Sequence, residues 1–160
     1  MSLFSDNPIA MEEVIDDTRK TVEQETRWAY PIALKLYQDS HHLPIDWAVE
    51  CLRIYLSEFK PSNITKLNKY IAQALDMEYR DGLTSSQCIK IANELCYLPE
   101  EGDNLEAAIA RLWWAISNKQ DSFHEAGRAI ELLLPDKSNS LLFDLYLEAA
   151  VRIYKEYGIY

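Results

Sequence analysis

The chain has 160 residues, with 26 acidic against 16 basic side chains and a formal charge of −10. That length suits a single domain over residues 1–160, large enough for folding to bury roughly two-thirds of the surface the unfolded chain exposes. The charge repels phosphate backbones and argues against nucleic-acid binding, and no apolar run approaches the ~20 residues of a membrane span.

Only four glycines are present, and no run alternates as a strand should, so the pattern predicts helices joined by short turns. Asn7 and Pro8 predict the N-cap and first position of a helix. Its narrow apolar line, Met11, Val14, Ile15, Thr18, Val22 and Ala29, buries one side only. Met1 to Pro8 lacks the basic and apolar regions of a signal peptide, which makes the cytoplasm the expected location. Pro31 either kinks this helix or starts another, and Ile32, Ala33, Leu36 and Tyr37 carry the pattern to a turn at His41-His42.

The stretch from Ile45 to Phe59 is the helix that the others are expected to pack around. Ile45, Ala48, Leu52, Tyr55, Leu56 and Phe59 form one wide apolar face, Trp47, Cys51 and Ile54 fill most of the remainder, and Asp46, Glu50, Arg53 and Ser57 are confined to a narrow polar strip. Pro44 suits its first turn and Pro61 marks its stop.

Ser62 or Asn63 caps a fourth segment with the stripe Ile64, Leu67, Ile71, Ala74 and Leu75, ending near Asp81-Gly82. Thr84-Ser85-Ser86 caps a fifth, with Cys88, Ile91, Ala92 and Leu95 inward and a stop at Pro99, before the polar turn Glu100, Glu101, Gly102, Asp103. A sixth helix follows Asp103 or Asn104, with Leu105, Ala108, Ile109, Leu112 and Ile116 inward. Asp121 or Ser122 opens a seventh, with Phe123, Ala126, Gly127, Ile130, Leu133 and Leu134 inward. The last, from about Ser140 to Tyr157, is apolar on most sides.

These elements predict an all-α compact bundle of seven to eight helices with short connections, the Ile45 helix and the last helix being most buried. A short α-solenoid of helix pairs is the alternative, because helix starts recur about every eighteen to twenty residues, a repeat-like spacing that antiparallel bundles also give. Cys51, Cys88 and Cys96 each fall in an apolar helical pattern, and are expected as buried thiols in a reducing compartment.

No catalytic motif stands out. The chain lacks a phosphate-binding glycine loop, Gly-x-Ser-x-Gly and His-Glu-x-x-His. A two-metal bundle site needs Glu-x-x-His on two helices, whereas this chain offers Asp39-x-x-His42 and Asp121-x-x-His124, whose aspartates suit turn and capping positions. No cofactor or metal is therefore expected, and a metal-dependent enzyme using Asp39, His41, His42, Asp121 and His124 is the second alternative.

Two surfaces attract attention instead. On the first helix Glu12, Glu13, Asp16, Asp17, Lys20, Glu23, Gln24 and Arg27 share the outer side. Dipole complementarity and the pairs Asp16 to Lys20 and Glu23 to Arg27 account for much of this face, leaving Glu12, Glu13 and Asp17 in surplus. Trp114 points nearly opposite to the inward stripe of its helix. The last helix has a second apolar face of Phe143, Leu147, Ala150 and Tyr154, which either packs into the core or meets a partner.

The expected function is a non-enzymatic acidic binding protein, a small cytoplasmic inhibitor of the immunity or antitoxin type that occludes a basic protein partner. Glu12, Glu13 and Asp17, with Glu100, Glu101 and Asp103, would steer that partner; Trp114, Phe143 and Tyr154 would anchor it. The first alternative is a self-associating structural or adaptor protein, in which the same aromatics close a homodimer.

Overall fold

Prolines and polar caps set several of the helix starts. The computed structural model describes residues 10–61, 65–96 and 104–158, and all regular structure among them is helical. The Asn7-Pro8 start, the Ser62 or Asn63 cap, Ile64, Pro99 and the Glu100, Glu101, Gly102, Asp103 turn lie outside the described residues. Helix α1 spans Met11–Thr21, well short of Ala29. Pro31 then starts a new helix, α2 (Tyr30–Asp39), from within its first turn, where the missing N–H costs nothing. Pro44 occupies the equivalent place in α3 (Leu43–Phe59), which Lys60 closes in the left-handed conformation with its N–H on the Leu56 carbonyl.

The fourth segment departs from its expected single helix. A 3₁₀ turn (Thr65–Leu67) leads into α4 (Asn68–Leu75), and Asp76 then breaks the chain into a separate short α5 (Met77–Asp81). The break is chemical: Asp76 is extended, and its carboxylate accepts the Tyr79 N–H at 3.1 Å as an N-cap. Helix α6 (Ser85–Glu94) opens with a capping box, in which the Thr84 hydroxyl accepts the Gln87 N–H while the Gln87 amide oxygen accepts the Thr84 N–H. Because α6 ends at Glu94, Cys96 leaves the helical face and is exposed; of the three thiols expected to be buried, only Cys51 and Cys88 are. Helices α7 (Asn104–Ser117), α8 (Ser122–Leu132) and α9 (Ser140–Gly158) complete the chain, with a 3₁₀ turn at Lys119–Asp121.

Helix α3 lies inside the bundle, against α2, α7, α8 and α9. Trp47 and Cys51 are fully covered, so its inner surface extends well beyond the wide apolar face. The Trp47 indole N–H donates to the Tyr146 carbonyl of α9 at 2.8 Å, and the Tyr146 hydroxyl in turn donates to the Leu133 carbonyl at 2.6 Å. Coverage fades along α3, and Phe59 at its end is 46% exposed. The most enclosed helix is α7, not α3 or α9: eleven of its fourteen residues are buried. Ala107, Ala110 and Ala115 lie beside the expected stripe and are fully covered, because small side chains let α6 and α8 approach closely.

The last helix packs on both the first and the third, which a stack of nearest-neighbour repeats would not do. The fold is an all-α compact bundle with one continuous core. No helix among the described residues is long and apolar enough to cross a membrane.

Helix α8 meets α2 at Gly127, where an added Cβ would lie 3.8 Å from the Ala33 Cβ and the Tyr30 Cα. That is ordinary van der Waals contact, so alanine fits. Gly127→Ala should raise stability by about 0.5–1 kcal/mol through the lower backbone entropy of the unfolded chain, read as a higher urea midpoint at unchanged slope.

Candidate functional site

Helix α1 turns Met11, Ile15 and Thr18 inward and leaves Glu12, Glu13, Asp16 and Asp17 exposed. The local pairs expected to neutralise this face do not form. Arg19 reaches across to Asp144 on α9, and Arg27 reaches Glu131 on α8 at 3.3 Å. Because α1 ends at Thr21, Glu23 and Arg27 no longer share a helical face. The two arginines hold α1 and the following loop to the bundle, while Lys20, exposed on α1, makes no ion pair with any described residue. Glu12, Glu13, Asp16 and Asp17 form no ion pair with any described residue.

Tyr154 on α9 belongs to the same patch. Its ring is partly buried, with the Lys35 ammonium 5.6 Å from the ring centroid. Burial raises its phenol pKa first, and the negative charges of Asp39 and Glu12 raise it further, so both carboxylates lie within electrostatic reach. Tyr154 thus lies within the electrostatic field of an acid of α1 and of Asp39 at the end of α2.

The remaining expected anchors are placed differently. Phe143 is only 5% exposed and meets Trp28 edge-on, with ring centroids 5.3 Å apart. Leu147 and Ala150 are buried too, so this second face of α9 is a core face up to Tyr154 and Phe143 cannot serve as a surface anchor. Trp113 is fully buried and Trp114 partly buried against the core. Helix α1 packs chiefly on α2 and α9, so Trp114 on α7 belongs to a different surface from the acids. Beside α1 runs a groove of about 430 Å³ lined by Ile15, Leu147 and Val151, with Arg19, Arg152 and Lys155 among its rim residues. Glu148 and Glu156 line it as well, so its charges are mixed and it does not extend the acidic face of α1.

The residues of the metal hypothesis are divided. Asp39, His41 and His42 line a cleft of about 750 Å³ beside the α2–α3 turn. His42 Nδ1 lies 2.9 Å from Asp46 Oδ2, and His41 stacks on Tyr37 at 4.8 Å between centroids. His124 instead stacks on Phe123 and lies 3.7 Å from Asp121, which makes no side-chain capping bond. Ser122 ties the two regions together by donating to the His41 carbonyl at 2.6 Å. Among the described residues no three His, Cys, Asp or Glu side chains gather where one ion could bind them.

No family model, curated protein or solved structure matches this chain.

Its functional reading therefore rests on its own surfaces. The charges of α1 are legible in sequence, but their isolation is not, because it depends on where Arg19 and Arg27 go in three dimensions. Arg80 gave no sequence signal: at the end of an expected helix it reads as an ordinary cation near the C-terminal dipole. Only the break at Asp76 and the packing of α5 reveal its burial.

Proposed function

We propose that this is a non-enzymatic acidic binding protein, a small cytoplasmic inhibitor of the immunity or antitoxin type, that docks onto a basic protein through the outer face of α1. The observation that carries the reading is the set of exposed acids, Glu12, Glu13, Asp16 and Asp17, left without cationic partners while the neighbouring arginines bridge to other helices. Such a face creates a negative potential that speeds encounter with a positive surface. Tyr154 supplies what charge alone lacks, an aromatic beside Glu12 with part of its ring accessible. The acids steer, and Tyr154 slows departure.

The test separates the two roles kinetically. Reversing Glu12, Glu13 and Asp17 to lysine together should slow association with the partner about ten-fold at low salt and flatten its salt dependence, leaving dissociation nearly unchanged. Tyr154→Ala should do the opposite, accelerating dissociation with little effect on association. Trp114→Ala serves as the control surface. Faster dissociation from Trp114→Ala, with the α1 charges inert, would move the interface to α7.

A further inference from the structure

Arg80 is only 6% exposed, yet its side chain makes no hydrogen bond or ion pair with any described residue, and its Nε is buried without an acceptor. Burying a guanidinium with its Nε–H left without an acceptor is costly, and burial lowers its pKa. Three carboxylates act on it from a distance, those of Asp46, Asp81 and Asp76, but none reaches it as an ion pair. Asp76 is engaged as the cap of α5, and Asp46 lies against His42.

This charge is also not sealed into the core. Arg80 lines the 750 Å³ cleft together with Ile45, Met77, Ile116, Asp39 and Lys119. A second hollow of about 410 Å³ touches it from the side of Glu50 and Arg53. The larger volume falls within the ~300–1,000 Å³ of small-molecule sites, which pair apolar walls with a few unsatisfied polar groups.

The geometry points to this cleft as a binding site for a small aliphatic carboxylate, free amino acids included, with the carboxylate on the Arg80 guanidinium. The planar fork of arginine matches a carboxylate through two parallel hydrogen bonds. Ile45, Met77 and Ile116 supply apolar walls for an aliphatic body. A dianionic phosphate fits less well, because Asp39, Asp46 and Asp81 also line the cleft and would repel the second charge. Asp39 borders both this cleft and the surface around Tyr154, but the assignment to Arg80 does not depend on the α1 docking face.

Titration of the full chain, labelled with ¹⁵N, by 4-methylpentanoate and by L-leucine tests the assignment through the Arg80 Nε–H resonance. At least one of the two should shift that resonance and the Met77 and Ile116 amides saturably, whereas leucinamide, which lacks the carboxylate, should not. Arg80→Gln should weaken binding about ten-fold or more. Its thermal midpoint without ligand should equal or exceed that of the wild type, since it removes an unpaired buried charge, so lost binding will not reflect lost folding. No shift from either carboxylate at about 10 mM, far above the concentration at which such a site should saturate, would overturn the assignment. So would equal shifts from leucinamide, or saturable shifts from inorganic phosphate alone.

Discussion

Trp47→Ala should lower the unfolding free energy by about 4 kcal/mol, a large part of the ~5–15 kcal/mol that holds a domain of this size folded. The indole is fully buried in the helix that packs on α2, α7, α8 and α9. Its removal opens a cavity where α3, α8 and α9 are joined through Tyr146, whose carbonyl accepts from Trp47 and whose hydroxyl donates to Leu133. Trp47→Phe keeps most of the volume but loses the N–H bond, and should cost about 1–2 kcal/mol. Urea unfolding checks both. A Trp47→Ala cost below about 1 kcal/mol would mean that α3 is not the element the bundle is built on.

Glu131→Ala should cost about 3 kcal/mol, because Glu131 organises the approach of α2 to α8. Its carboxylate is 8% exposed, accepts the buried Ala29 N–H at 3.0 Å and the Arg128 guanidinium at 2.9 Å, and faces Arg27 at 3.3 Å. Truncation leaves that N–H unpaired. Burial raises the carboxyl pKa, outweighing the hydrogen bonds from Arg128 and Ala29 and the charges of Arg27 and Arg128. The folded protein thus holds this proton more tightly than the unfolded chain does, and Glu131's contribution to stability falls as pH rises through its folded value. Glu131→Gln keeps an acceptor for Ala29 and lacks that titration. The stability of wild type relative to Glu131→Gln should therefore fall from about pH 4 to about pH 7. A relative stability that rises over that interval would show that the two arginines outweigh burial.

The fold was legible wherever large apolar residues fell at helical spacing and where polar residues or prolines marked a boundary. The Ile45 to Phe59 wheel located α3, Thr84 marked the capping box, and Pro31 stood at a helix edge. The prominence of α7 was not legible, because alanines carry little weight on a wheel, yet Ala107, Ala110 and Ala115 let its neighbours close in. Asp76 was missed because the stripe Ile71, Ala74, Leu75 runs up to it without interruption, and an aspartate in that place reads equally well as helix surface. The acidic face was visible as composition. Its lack of compensation follows from two long-range pairs, Arg19 with Asp144 and Arg27 with Glu131, that no local pattern encodes. Phe143 shows the converse, since an apolar second face on α9 is the same string of letters whether it meets a partner or Trp28.

Among the described residues α1 presents an acidic face without ion-pair partners, and whether a basic protein docks there is the central question. The most direct measurement is a pull-down from the native host at low and at high salt, run in parallel with the wild-type chain and with the Glu12, Glu13, Asp17 charge-reversed chain, and read out by native mass. The α1 docking face predicts one basic protein held by the wild type at low salt, lost at high salt and not recovered by the reversed chain. Equal recovery by the reversed chain, or recovery of only the protein itself as a discrete dimer at both salts, would contradict it.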